Sequence, residues 1–194
     1  MAYRGYGGFR LNPVWIFIGI NLLFFIATLI DLNRLIVLFG LSPSSFLQQP
    51  WTIITNLFIH AGFFHIFANM LTLFFFGTYL LRLLGEGRFL IVYFGGGILG
   101  NILFLLLAHP FSTAVGASGA VFALGGALTV MRPQLRVFIF PIPIPIPLWV
   151  AVIGGFLIVS FLPSIAWQAH LGGLIFGLVT GYVFRRRGSQ YFFA

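Results

Sequence analysis

The chain has 194 residues, 60% of them apolar and only 6% charged, with a net charge of +8 from ten arginines, no lysine and two acids. Soluble domains carry about 25% charged residues, so this composition excludes one; the surplus apolar surface calls for a bilayer, where basic charge reports orientation rather than nucleic-acid binding. The lack of cysteine and a single aspartate exclude thiol catalysis, disulfides, Cys-ligated metals and an aspartyl dyad, and leave Asp31 and Glu86 as the sole acids for any triad.

Residues 1–13, with Arg4 and Arg10, read as a cytoplasmic tail, and the apolar run 14–31 as span 1. No small-residue cleavage site follows Ile30-Asp31-Leu32, so this run reads as a retained span and not a signal peptide. Segment 32–56 is unusually apolar for a connection (Leu35 to Phe39, then Trp51). It is expected to lie in the external interface as short amphipathic helices, with Trp51 at headgroup level. Runs long enough to cross a bilayer follow at 57–81, 89–108, 115–131, 146–162 and 166–184. Arg82 and Arg88 join spans 2 and 3; Arg132 and Arg136 join spans 4 and 5; Arg185, Arg186 and Arg187 open a tail over 185–194. The alternating Pro-Ile run 141–147 cannot be helical and reads as a stiff extended connector into span 5. Nine of the ten arginines fall on one side and Arg34 on the other, which puts both termini in the cytoplasm. The expectation is an all-α, polytopic bundle of six spans, forming one membrane domain over 1–194.

Few polar side chains interrupt the runs: His60, His65 and Asn69 around the start of span 2, Asn101 in span 3, Ser118 in span 4 and His170 in span 6. Ionisable groups inside a membrane are costly and point to function by default. Counted from the arginine closing each span, Ser118 lies about 21 Å from the cytoplasmic end, His170 about 22 Å, His65 about 25 Å and Asn69 about 20 Å. In a hydrocarbon core about 30 Å thick, three spans thus place polar residues in one layer, roughly 5–10 Å below the external face.

The same helices carry small faces. Gly173, Gly177 and Gly181 form two overlapping GxxxG units in span 6, on the face of His170; Gly119, Ala123, Gly126 and Ala127 form a stripe in span 4 beside Ser118. Such faces let backbones pack closely, which would bring Ser118 and His170 within hydrogen-bond reach, with Phe122 one turn below the serine under the imidazole. Taken singly, each residue has an ordinary reading. A serine in a spanning helix bonds its own i−4 carbonyl, a buried histidine packs, and GxxxG reports packing alone. Asn101 reads as an interhelical hydrogen-bonder and His109 as solvated. His60 and His65 lack metal-site spacing, so no metal or cofactor is expected. The coincidence of depth, packing face and an Asn-bearing third helix favours a Ser118–His170 site.

These residues resemble a known family. Gly116-Ala117-Ser118-Gly119 is similar to the GxSG element of the rhomboid intramembrane serine proteases; His60-x4-His65-x3-Asn69 resembles their span 2 signature, and Ala169-His170-Leu171-Gly172-Gly173 with Gly177 their last span. The stretch from Trp51 to Met70 is also similar, and the likeness runs over about residues 51–182. It implies a dyad in which Ser118 is nucleophile and His170 general base then acid. It also implies an oxyanion hole from the Ser118 N–H, Asn69 and His65, supported by Gly116, Gly119, Phe122, Gly173 and Gly177. Substrates would be transmembrane segments of other proteins, cleaved near the external face after entering from the bilayer. Short length and the absence of a transit peptide point to a prokaryotic plasma membrane. Oligomeric state stays open, because the GxxxG face is used internally.

Three positions depart from the family pattern. Trp51-Thr52 stands where Trp-Arg is common, so a loop-anchoring arginine is missing; Leu81 aligns with an acid, with Glu86 displaced into the next turn; and Phe122 replaces a common tyrosine. Two rival readings are a catalytically silent relative that binds membrane clients and a small channel lined by Asn69, Asn101 and the histidines. A histidine base must be neutral to accept a proton, so activity is expected to rise with pH as His170 deprotonates. A rate that stays flat between about pH 4 and pH 8 would contradict a histidine base.

Overall fold

The computed structural model of the chain describes residues 12–138, 143–162 and 165–189, with side chains as far as Arg185. Helix α1 (Pro13–Phe39) starts where Asn12 accepts the Val14 N–H at 2.9 Å and Pro13 fills the first helical position, the place where its missing N–H is harmless. The helix leaves helical geometry at Asp31 (φ −151°, ψ 86°), whose carboxylate accepts the Arg34 N–H at 2.9 Å and caps a second, shorter helical piece. The break falls at the expected end of span 1. Gly40 ends the element, and a Cβ there would meet the Ile36 carbonyl oxygen at 2.6 Å and Thr113 at 2.8 Å.

The connection that follows is ordered by its own bonds. Leu41 and Ala114 exchange two backbone hydrogen bonds (3.0 and 2.8 Å), and the Trp51 indole N–H donates to the Leu38 carbonyl at 2.9 Å. Helix α2 (Thr52–Thr55) and a 3-10 turn (Asn56–Phe58) complete it. The chain then becomes extended at Ile59 and Gly62 before α3 (Phe63–Thr72), a π turn (Leu73–Gly77) and α4 (Thr78–Leu84) make one continuous rod. The expected start of span 2 at residue 57 is therefore corrected to 63. Residues 56–60 turn their acceptors to a distant loop instead: the Asn56 carbonyl takes the Gly116 N–H and His60 Nε2 takes the Ala117 N–H.

Gly85, at φ +77°, makes the tight turn into α5 (Glu86–Leu107). Helix α6 (Ser118–Met131), α7 (Leu148–Ser160) and α8 (Trp167–Ser189) follow. The last continues five residues past the expected end at 184, through the arginines, which are good helix formers. Between α6 and α7, β1 (Arg136–Val137) pairs antiparallel with β2 (Ile146–Pro147), in the register Arg136 with Pro147 and Val137 with Ile146. The described part of the Pro-Ile run is non-helical, as expected, but its end is paired. Alternating prolines leave N–H groups on one edge only, which suits a two-stranded ribbon with a blunted outer edge. Pro141 and Ile142 lie outside the described residues.

Helix α1, the α3–α4 rod and α5 are long and apolar enough to cross a membrane; α6 and α7 are shorter apolar helices. Large apolar residues such as Ile30, Phe64, Leu106 and Ile158 face outward, as in a protein whose solvent is lipid. Helix α6 sits at the centre, buried from Gly119 to Leu128 apart from Phe122. Its 14 residues rise only about 21 Å, less than the roughly 30 Å of a hydrocarbon core. At its C-terminal end the Arg185 guanidinium donates to the Val130 carbonyl at 3.0 Å, the Arg88 guanidinium lies 5.4 Å from the centre of the Phe184 ring, and Arg82 sits in the last turn of α4. Arg4, Arg10 and the side chains of Arg186 and Arg187 lie outside the described residues.

The α6–α8 contact is made of backbone. A Cβ built on Gly173 would strike the Gly119 carbonyl, one on Gly177 the Ala123 carbonyl, and one on Gly181 would lie 2.7 Å from the Ala127 carbonyl oxygen. Gly177→Val is expected to lower stability by roughly 3 kcal/mol, the scale of severe overpacking. Gly154→Ala, inside α7 with nothing within 4 Å of the new Cβ, should not lower it. Thermal unfolding in detergent checks the pair, and equal midpoints would contradict the packing.

Candidate active site

Ser118 is the first residue of α6, and the turn before it is shaped by Gly116 at φ +116°, a conformation that costs a side-chain-bearing residue. Two bonds hold this turn against the 56–60 segment: Gly116 N–H to the Asn56 carbonyl at 2.8 Å and Ala117 N–H to His60 Nε2 at 3.5 Å. The Ser118 hydroxyl is thereby set at a helix N-terminus, where free N–H groups and the positive end of the helix dipole converge.

His170 lies in the first turn of α8. Its backbone N–H and that of Ala169 both donate to the Ala166 carbonyl, at 3.3 and 3.0 Å. The side chains meet across the small-residue seam, with His170 Nε2 2.7 Å from Ser118 Oγ. The Phe122 ring packs on the imidazole with centroids 4.8 Å apart and planes at 37°, and Phe156 of α7 buttresses Phe122 edge-on at 6.0 Å. His170 Nδ1 is buried and has no hydrogen-bond partner among the described residues. No carboxylate orients this imidazole; aromatic packing does. Asp31 caps a turn of α1 and Glu86 opens α5.

His65, in the first turn of α3, faces the same turn. A Cβ on Gly116 would sit 2.5 Å from His65 Nε2, so the imidazole fills the space a side chain would take. His60 and His65 meet edge-on at 4.9 Å. Asn69 is buried one turn further along, and its Nδ2 donates to the His65 carbonyl at 2.9 Å, which leaves its second N–H free to donate elsewhere. The structure thus gathers Gly116, Ser118, Gly119, Phe122, His170 and Gly173 at one point and sets His65 against the turn, with Asn69 one helical turn away. A cavity of about 310 Å³ lined by Phe104, Ser112, Thr113, Trp167 and Gln168 opens nearby; neither Ser118 nor His170 lines it. Among the described residues, no three His, Asp or Glu side chains are grouped to hold a metal ion.

Sequence reasoning missed two contributors. Asn56 carries the acceptor for Gly116; it lies inside the family-like stretch from Trp51 to Met70, but no motif there singles it out. The other is the α5 glycine set: a Cβ on Gly96 would strike Ala123, and one on Gly100 would strike the Ala169 carbonyl. Here a signal existed, since Gly96 and Gly100 are spaced as GxxxG.

A family model described as a Rhomboid domain matches residues 47–187. The chain is 33% identical over 173 residues to Rhomboid protease GluP of Bacillus subtilis (84% of this chain, 33% of that protein). It is 30% identical over 191 residues to Rhomboid protein 1, mitochondrial, of Saccharomyces cerevisiae (88% and 53%). It is 31% identical over 130 residues to Inactive RHOMBOID-like protein 8 of Arabidopsis thaliana (66% and 36%). The chain spans about half or less of the length of these relatives.

Gly116→Ala places a methyl against His65 Nε2 at a positive φ. It is expected to lower stability by about 1–3 kcal/mol, while Gly62→Ala, at an extended φ with nothing within 4 Å, should not. Thermal unfolding of the two variants separates them, and equal midpoints would show that the turn is not under this constraint.

Proposed function

The chain belongs to the rhomboid family, and on that premise we propose that it is an intramembrane serine endopeptidase acting through a Ser118–His170 dyad. The observation that carries the proposal is the 2.7 Å contact between His170 Nε2 and Ser118 Oγ, the geometry a general base needs to take a hydroxyl proton. His170 Nε2 removes that proton as Ser118 Oγ attacks the scissile carbonyl carbon, and a tetrahedral oxyanion forms. The Ser118 N–H, the free Asn69 N–H and the His65 imidazole are the donors proposed for it. The imidazolium returns the proton to the leaving amine, the C–N bond breaks, and an acyl-serine remains. Water then gives a proton to His170 and attacks the ester, which releases the new carboxyl end and restores the hydroxyl.

The family and the apolar helices make this a multi-pass membrane protein. The proposal assigns it six spans and both termini in the cytoplasm, supported by Arg82, Arg88 and Arg185 at one end of the bundle and Arg34 on the other side of the Asp31 break. On this reading Ser118 lies near the outer face of a prokaryotic plasma membrane, the substrates are transmembrane segments of other proteins, and neither cofactor nor nucleic acid takes part. A relative named as inactive makes a silent client-binding role the natural rival; the intact, mutually bonded serine and histidine weigh against it.

The test is labelling of the detergent-solubilised protein with a fluorophosphonate, alongside cleavage of a transmembrane reporter. Wild type should label and cleave, Ser118→Ala should do neither, and His170→Ala should lose about 10³-fold or more of the rate. A folded wild type that neither labels nor cleaves overturns the proposal.

A further inference from the structure

Two buried amides take no part in the hydrolysis described above. Asn56, in the 3-10 turn, and Asn101, on α5, are each 2% exposed. They pair reciprocally: Asn56 Nδ2 donates to Asn101 Oδ1 at 3.1 Å, and Asn101 Nδ2 donates to Asn56 Oδ1 at 2.8 Å. Asn101 Nδ2 also donates to the Ile53 carbonyl at 2.7 Å. Both N–H groups of Asn101 are therefore committed, one across each of two bonds. This is more than interhelical glue, because both arms of the dyad start from it. The Asn56 backbone carbonyl holds the Gly116 N–H at 2.8 Å, two residues before Ser118. Gly100, beside Asn101, lies backbone to backbone against Ala169, the residue before His170, and a Cβ on Gly172 would sit 2.7 Å from the Gly100 Cα.

We infer that the Asn56–Asn101 pair is a positioning element that sets the Ser118 turn relative to His170. The inference rests on the protease reading. The pair fixes the 3-10 turn to the α5 backbone at the level where α5 touches α8, so the serine arm and the histidine arm share one reference point. A shift of about 1 Å between reacting groups is enough to slow a reaction about 100-fold. A purely structural pair would behave differently: replacing both partners with apolar residues of similar shape restores stability when the bond itself is all that mattered.

The experiment compares wild type, Asn101→Leu, Asn56→Leu, the double leucine variant and Asn101→Ser, each corrected for its folded fraction. The measurements are kcat and KM on a transmembrane reporter, the fluorophosphonate labelling rate and the thermal midpoint. The inference predicts that each single leucine lowers kcat and labelling about 10- to 100-fold with KM within about twofold. The double variant should regain only part of the thermal midpoint, because the Ile53 carbonyl also loses its Asn101 donor, and should not regain kcat; Asn101→Ser, which keeps a hydrogen-bonding group on α5 one bond shorter than the amide, should recover part of the rate. Should a leucine variant not fold, Asn101→Ser carries the same comparison. Turnover per folded molecule equal to wild type in the variants, or recovered in the double variant, overturns the inference alone. A wild type that does not label overturns the protease reading and the inference together.

Discussion

The structure depends on the close approach of two backbones. Lipid offers helices no hydrophobic reason to associate, so α6 and α8 are held by contact area and by what fits between them. Gly173, Gly177 and Gly181 each lie against a carbonyl of α6, those of Gly119, Ala123 and Ala127. The match steps along both helices by four residues, so it fixes axial register as well as distance. The Ser118–His170 contact sits at the Gly119–Gly173 end of that seam, and its 2.7 Å length follows from the register. A side chain added at any of the three glycines would separate the helices long before it touched the polar pair.

A serine–histidine pair without a carboxylate needs another way to orient its imidazole. His170 Nδ1 lacks a partner among the described residues, and the ring is confined instead between the seam and Phe122, itself braced by Phe156. The missing tyrosine hydroxyl at position 122 does not remove this confinement, since stacking needs only the ring. The connection between α1 and α3 shows a similar substitution of means. Thr52 stands where an arginine is common in the family, and it is buried and donates to the Gln49 carbonyl at 2.6 Å. The anchoring falls to Trp51 on Leu38, to the Leu41–Ala114 pairing and to the two asparagines.

What could be read from the chain was what local pattern encodes. The apolar runs located the helices to within a few residues for spans 3 to 5, and the arginines gave a depth scale that put Ser118 and His170 in one layer. The small stripes of spans 4 and 6 named the faces that meet. The start of α3 was misplaced because residues 57 and 58 are apolar, yet the segment is held by acceptors facing a loop almost 60 residues away. Hydropathy has no access to such a pairing. Asn56 was invisible for the same reason, since it looks like any polar residue in a connection. The α5 glycines are legible as a GxxxG pair, on a helix that carries neither Ser118 nor His170 yet braces the helices of both.

The Ser118–His170 assignment is tested most directly by a crystal structure of the protein after reaction with a phosphonate inhibitor. The expected result is a covalent bond from Ser118 Oγ to phosphorus, with the phosphoryl oxygen about 3 Å from the Ser118 N–H and the Asn69 amide and the α6–α8 seam unchanged. A phosphorus atom bonded elsewhere, or a phosphoryl oxygen turned away from both donors, would contradict it.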